Sequence, residues 1–212
     1  MTPAERETRV VIIDYGAGNL RSVVNALVKL GYQPTVTNRP QELLRADAVI
    51  LPGVGAAADA MANLWELGLI EPICEYIYDS RPFLGICIGL QVLLTGSEEG
   101  GWHEGMNIVS GRVRRLPTEL KTPHMGWNQV CQRKPHPVFK DIPDKANFYF
   151  VHSYYAEPDD PSLIAADTDY GILFCSILAR NNLIGTQFHP EKSGETGLKV
   201  YRNFINLALN RD

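Results

Sequence analysis

Continuous apolar runs and helix-period stretches alternate along the first half of the chain. Residues 9–15, Arg-Val-Val-Ile-Ile-Asp-Tyr, form a β-branched run of the kind expected in a strand buried on both faces. After the turn Gly16-Ala17-Gly18-Asn19, the residues Leu20, Val23, Val24, Leu27, Val28 and Leu30 recur at helical spacing. Asn19 is placed to cap that helix and Gly31 to end it. A short strand over 34–37 and an apolar strand over 48–51 follow, the second running into Pro52-Gly53-Val54-Gly55. Helical text over 57–79 is interrupted near Gly68 and Pro72. The stretch 81–94 then begins as a fourth strand, breaks at Gly85 and continues as a helix. Strands alternating with helices predict an α/β fold with a parallel, doubly wound sheet, whose active site forms at the carboxyl ends of the strands. Three turns fall at such ends, 16–19, 52–55 and the one at Cys87, and they are expected to converge.

After Gly101 the rhythm changes. Strands are predicted over 107–116, 127–132, 147–155 and 162–167 without long helices between them. Residues 171–179 and 183–188 flank Arg180-Asn181-Asn182, a hairpin turn. This region reads as an antiparallel or mixed extension of the same sheet. A final helix over 194–210 carries Leu198, Val200, Tyr201, Phe204, Ile205 and Leu207 as its buried face. Lacking a linker or repeat, the chain reads as a single domain over 9–212 behind a polar N-terminal extension, 1–8.

Composition narrows the function classes. The 212 residues are 45% hydrophobic and 21% charged with net charge −4, as in an ordinary globular protein. No Lys/Arg block stands out, which argues against nucleic acid as a partner. No apolar run approaches the ~18 residues of a membrane span, and the first seven residues lack the apolar core of a signal peptide. A cytoplasmic location, away from membranes, is expected. Cys74, Cys87, Cys131 and Cys175 are widely spaced with no C-x-x-C, so neither a metal site nor a redox motif is indicated. No organic cofactor is indicated either, since Gly16-Ala17-Gly18 lacks the third glycine of a dinucleotide fingerprint.

One cysteine stands apart. Cys87 lies between Gly85 and Gly89 at a strand-to-helix turn, the cysteine version of a nucleophile elbow. There a helix N-terminus favours an anionic sulfur. The plain alternative is a small buried Cys in a core strand. A nucleophile needs a base, and the base an orienter. Of five histidines, His103 and His136 sit in polar, loop-like text. His189 follows the strand over 183–188 and precedes Pro190 and Glu191. Pro190 favours extended backbone at His189, and residues two apart in extended chain face one side, so Glu191 is placed to reach the imidazole.

Gly85-Ile86-Cys87-Ile88-Gly89-Leu90-Gln91 together with Phe188-His189-Pro190-Glu191 resembles the signature of class I, triad-type glutamine amidotransferases. The resemblance runs from Val10 to the last helix. Small departures keep apolar character: Ile88 and Leu90 stand where Leu and Met are usual, and Ala57 where many relatives have Phe. It implies that Cys87 attacks the side-chain amide of glutamine, that His189 moves the proton, and that Glu191 orients His189. It implies an oxyanion hole from the N–H of Ile88 and of Val54 or Gly55, the second withheld in the resting state. It implies a glutamine pocket made by Gly53, Gln91, Glu99, His152, Ser153 and Tyr154. Alternatives stay open here: Gln91 as a solvated helix residue, His152 as a packed strand residue, and Glu98 in place of Glu99.

Within the class, Pro123-His124-Met125-Gly126-Trp127-Asn128 and Phe150-Val151-His152-Ser153-Tyr154-Tyr155 are similar to the glutaminases that serve a (β/α)8-barrel cyclase in histidine biosynthesis. That implies ammonia delivery to the cyclase, which makes imidazole glycerol phosphate and an aminoimidazole carboxamide ribonucleotide. Trp127, Asn128, Tyr149 and Lys192 are the implied partner face. Rival destinations are the class I enzymes of anthranilate, aminodeoxychorismate, guanylate and pyridoxal phosphate synthesis. A catalytically silent scaffold and a cysteine peptidase are rivals of other classes.

Overall fold

The computed structural model describes residues 8–209. Apart from Thr8, the expected N-terminal extension lies outside the described residues, as does Asn210 at the end of the expected last helix. The first half follows the predicted alternation. β1 (Val10–Ile13) leads to α1 (Leu20–Lys29), and β2 (Thr35–Thr37) leads to a short helix the pattern did not predict, α2 (Pro40–Leu43). β3 (Ala48–Gly53), α3 (Ala57–Glu66), α4 (Ile70–Tyr78) and β4 (Phe83–Cys87) follow. Every residue of β1, β3 and β4 is buried, which explains their unbroken apolar text. Gly31 ends α1 at φ 90°, and Gly68 separates α3 from α4 at φ 63°. Pro72 is not a break: it stands in the first turn of α4, where no intrahelical N–H bond is lost. Asn19 starts α1 through its backbone carbonyl, which accepts from Ser22 and Val23, and not through its side chain.

The second half differs more. The helix after Cys87 is only α5 (Ile88–Gln91), and the chain turns into β5 (Leu94–Ser97) where helix was predicted to continue. Apolar text at 92–94 suits either state; pairing decides it, with Leu94 opposite Val109 and its carbonyl accepting from Asn107. Then come β6 (His103–Glu104), β7 (Val109–Arg115), β8 (His124–Gln132), β9 (Ala146–His152), β10 (Tyr154–Pro158), β11 (Ile164–Asp169), β12 (Leu173–Arg180), β13 (Leu183–Thr186) and α6 (Gly194–Ala208).

Nine strands form one mixed sheet in the order β2-β1-β3-β4-β13-β12-β11-β8-β9. Its pairs are parallel from β2 to β13 and antiparallel from β13 to β9. This is the doubly wound α/β sheet with its antiparallel extension. The expectation that all later strands join it is corrected: β10-β7-β5-β6 form a separate four-stranded sheet. The single strand expected over 147–155 therefore divides at Ser153. Its buried phase shifts there, from Phe148, Phe150 and His152 to Tyr155, so the chain changes face. The predicted hairpin closes β12 onto β13 with Arg180 opposite Leu183 and Asn181 at φ 53°.

Register then sets the site. Gly53 lies opposite Cys87 and Thr186 opposite Ile86, so the chain after β3, the turn after β4 and the segment after β13 leave the sheet at one edge. The turn at 16–19 packs with Gly18 against Pro52 and Gly16 near Asn63, and none of its residues lines the cavity over Cys87. Among the described residues, no helix is long and apolar enough to cross a membrane.

Candidate active site

Cys87 ends β4 at φ 55° and ψ −108°, outside the regions L-residues favour. Such strain persists where surroundings over-determine it, and it clusters at functional positions. Close backbone approach over-determines it here. A Cβ on Gly89 would lie 1.9 Å from the Leu51 carbonyl oxygen, and one on Gly53 2.7 Å from both the Ile88 Cβ and the Tyr15 hydroxyl. The turn is thus pressed onto β3. α5 is a single turn, so the dipole it offers the sulfur is small.

His189 has extended backbone, φ −100° and ψ 100°, as the residue before a proline prefers. Its Nδ1 lies 2.8 Å from Glu191 Oε1, with both side chains buried. The two-residue spacing works by a different geometry from the one expected. Pro190–Lys192 is a turn of 3-10 helix, and that turn folds Glu191 back to the ring. Tyr201 donates its hydroxyl to Glu191 Oε2 at 3.4 Å. Ser193 Oγ donates to the His189 carbonyl at 2.7 Å and accepts from the Tyr149 N–H at 3.0 Å, which ties the turn to β9.

Burial alone would pull the His189 pKa down. Hydrogen bonding to Cys87 and Glu191, together with the charges of both, outweighs burial and holds it at about 9. Nε2 is buried without a hydrogen bond of full geometry, so the contact with Cys87 is loose. Catalytic bonds of this kind tighten when substrate arrives.

A cavity of ≈ 360 Å³, large enough for an amino acid, lies over the turn. It brings together Cys87, Ile88, His189, Val54, Gly55, Gln91, Glu99, Ser153 and Tyr154 from the expected set, with Lys192 at its wall. Glu99 lines it and accepts from the Ala57 N–H at 3.0 Å, whereas Glu98 pairs outward with Arg112 at 3.7 Å. Gln91 is 2% exposed and so is not a solvated helix residue.

Three of the expected residues are placed differently from the rest. Gly53 does not line the cavity; it lies behind it, where its missing side chain lets Ile88 and Tyr15 close in. His152 lines the cavity, but both its ring nitrogens are engaged, one with His124 at 3.0 Å and one with the Tyr154 carbonyl at 2.9 Å. It shapes the wall and has no nitrogen left for a ligand. Asn128 turns its amide inward, donating to the Asp169 carbonyl at 2.9 Å and meeting His124 at 3.3 Å.

The other three residues read as a partner face lie together. Trp127 is 58% exposed and stands edge-on to Tyr149 at 6.1 Å, with the Lys192 ammonium 5.9 Å from the Tyr149 ring. Met125, 62% exposed and not foreseen, extends this patch, and Pro123, Val151 and Lys192 join it to the cavity mouth.

Sequence reasoning also missed Gln187 and Tyr15. Gln187 Nε2 donates to the Cys87 sulfur at 3.6 Å. Its signal was its place two residues before His189, at the end of the same strand segment. The Tyr15 hydroxyl is buried without a partner, and burial and then Cys87 push its pKa up. Nothing local in its sequence marks it. Cys175 is a packing residue, with burial raising its pKa to about 12.

Comparison with known proteins follows the same line. A family profile described as glutamine amidotransferase class-I matches residues 11–207. An imidazole glycerol phosphate synthase subunit HisH from Dehalococcoides mccartyi (strain CBDB1) is 55% identical over 200 residues, 94% of this chain and 98% of its own. The subunit of that name from Geobacter sulfurreducens is 50% identical over 204 residues, 93% of this chain and 98% of its own. Among solved structures, a chain of PurLQS from Thermotoga maritima aligns with TM-score 0.75 at 17% identity, over 94% of this chain and 98% of that one. A glutamine amidotransferase from the same organism aligns with TM-score 0.62 at 18% identity, over 96% and 83%. At such identities the structures speak for the fold alone.

Proposed function

The chain belongs to the class I glutamine amidotransferases, and on that premise we propose that it is the glutaminase subunit of an imidazole glycerol phosphate synthase, acting in histidine biosynthesis. The observation that carries the chemistry is the strained Cys87 sharing one cavity with the His189–Glu191 pair. Cys87 attacks the side-chain amide carbon of glutamine. His189 takes the thiol proton and returns it to the leaving ammonia, while Glu191 stabilises the imidazolium. The γ-glutamyl thioester left on sulfur is hydrolysed by water, which gives up its proton to His189; glutamate leaves and the thiol re-forms. Both tetrahedral intermediates place a negative oxygen near the turn. The N–H of Ile88 and one N–H from Val54 or Gly55 are its donors, each worth ~10²–10³ in rate. Gln91, Glu99, Ser153 and Tyr154 hold the substrate.

Ammonia at neutral pH is mostly protonated and useless as a nucleophile, so the cavity mouth must be covered during turnover. The cover is a partner subunit, a (β/α)8-barrel cyclase. It docks on Met125, Trp127, Tyr149 and Lys192 and joins the ammonia to a phosphorylated ribulosyl aminoimidazole carboxamide. Supporting this is an exposed aromatic patch continuous with the mouth, of the residue types that dominate interface energetics. The test supplies glutamine, that acceptor and the cyclase partner. Glutamate and imidazole glycerol phosphate are expected in equal amounts. Glutamate without imidazole glycerol phosphate would overturn the destination and keep the glutaminase.

A further inference from the structure

Two runs of hydrogen bonds meet at the backbone carbonyl of Tyr154, on the cavity wall. His152 Nδ1 lies 2.9 Å from it and Gln91 Nε2 3.0 Å. A carbonyl can only accept, so this one atom fixes every proton in both runs. His152 must carry its hydrogen on Nδ1, which leaves Nε2 an acceptor. His124 Nδ1, 3.0 Å away, must therefore donate, which leaves His124 Nε2 to accept from the Asn128 amide at 3.3 Å. The second Asn128 hydrogen goes to the Asp169 carbonyl. On the other side, the second Gln91 hydrogen goes to Gln187 Oε1 at 3.2 Å, so the Gln187 N–H is the group presented to the Cys87 sulfur.

We propose that Asn128, His124 and His152 are positioning residues of the glutaminase, a run of donors that holds the Tyr154 carbonyl in place, and on that carbonyl the Gln91 amide and, through Gln187, the N–H at Cys87 are oriented. The proposal rests on the glutaminase reading above. The first run begins beside Trp127, on the strand that carries the exposed patch, and the second ends at the reacting sulfur. Aromatic rings hold the first run in place: Tyr170 and Phe150 stack on His124 with centroids 4.0 and 4.9 Å away, and Phe174 meets His152 edge-on at 5.0 Å. Burial keeps both imidazoles neutral, with pKa values lowered to about 4 for His124 and about 3 for His152. Only a neutral ring can accept on one nitrogen and donate on the other.

The direct test is the tautomer. In ¹⁵N-histidine spectra of the full chain without substrate, His124 and His152 are expected neutral and protonated on Nδ1. An Nε2-protonated or charged ring at either position, at neutral pH, overturns the proposal. Asn128→Asp is isosteric but faces His124 Nε2 with lone pairs. His124 is then expected to gain an Nε2 proton. In the complex with the partner subunit, KM for glutamine should rise roughly tenfold, the equivalent of about one net hydrogen bond, with a smaller fall in kcat. Unchanged KM with His124 still protonated on Nδ1 overturns it. Should that variant not fold, His124→Asn and His124→Leu make the same comparison. Asn keeps a donor toward His152 and should largely restore KM, while equal KM in the two is the contrary result. Failure of the glutaminase reading looks different: the wild-type complex would release no glutamate, whatever the histidine spectra show.

Discussion

Across the cavity from Cys87, whose turn is held by backbone lying on backbone at Gly53 and Gly89, the wall of β8, β9 and β10 is held by side-chain hydrogen bonds through His124, His152 and Gln91. The first side leaves no room for a methyl group. The second tolerates shape change but depends on which atom carries which proton. The proposed reaction chemistry sits on the first side, in a parallel sheet whose strand ends are fixed by register. The proposed substrate contacts and partner face sit on the second. The contrast implies that damage on the first side should be all-or-none, and on the second graded.

The sharpest break is Cys87→Ala. Glutamine-dependent synthesis should fall by ~10⁴ or more, since the nucleophile acts as a unit with its base. Synthesis from added ammonia by the complex should persist, and its loss would mean that the turn had collapsed. Next is Gly89→Ala, which puts a methyl carbon 1.9 Å from the Leu51 carbonyl oxygen. Backbone must move, so the cost should be at or beyond the upper end of overpacking, about 3 kcal/mol, or a melting temperature lower by roughly 6–12 °C. A melting curve like that of wild type would contradict the close approach.

Glu191→Gln keeps an acceptor but removes a charge that, with the larger contribution of Cys87, holds up the His189 pKa. A fall in kcat of ~10²–10⁴ is expected. The folded pKa of His189 is raised, so its contribution to stability is complete below about 6.5 and is lost as pH rises through about 9. Activity should fail over the same rise, because the proton for the leaving ammonia is gone. In Glu191→Gln that alkaline limb should move to lower pH, and a limb that stays put would remove Glu191 from the role. The smallest effect belongs to Trp127→Ala. Partner affinity should weaken by about 1–2 kcal/mol, or ~5–30-fold, measured by titrating the partner subunit, with turnover at saturating partner reduced far less.

Legibility followed the same division. His189 and Glu191 were readable because two residues in one short segment supply both groups, although a 3-10 turn and not extended chain joins them. β1, β3 and β4 were readable from apolar runs, because complete burial demands them. β5 was not: Val92, Leu93 and Leu94 fit helix as well as strand, and their partner, β7, lies beyond a loop. Gly53 was given to the pocket because a glycine in a strand-end turn reads alike whether it faces ligand or neighbouring backbone.

The sequence alone determined the alternating α/β architecture, the turn at Cys87 and the pairing of His189 with Glu191. Each rests on residues within a few positions of one another, where periodicity and glycine placement act directly on the backbone. Tertiary structure alone decided that Glu99 and not Glu98 meets the cavity, that Gln187 touches the sulfur, and that His152 serves His124 and Tyr154. The contacts of His152 with His124 and of Gln187 with Cys87 join residues 28 and 100 positions apart. A hydrogen bond across such a distance depends on sheet order and register, and no local pattern in a single chain encodes either.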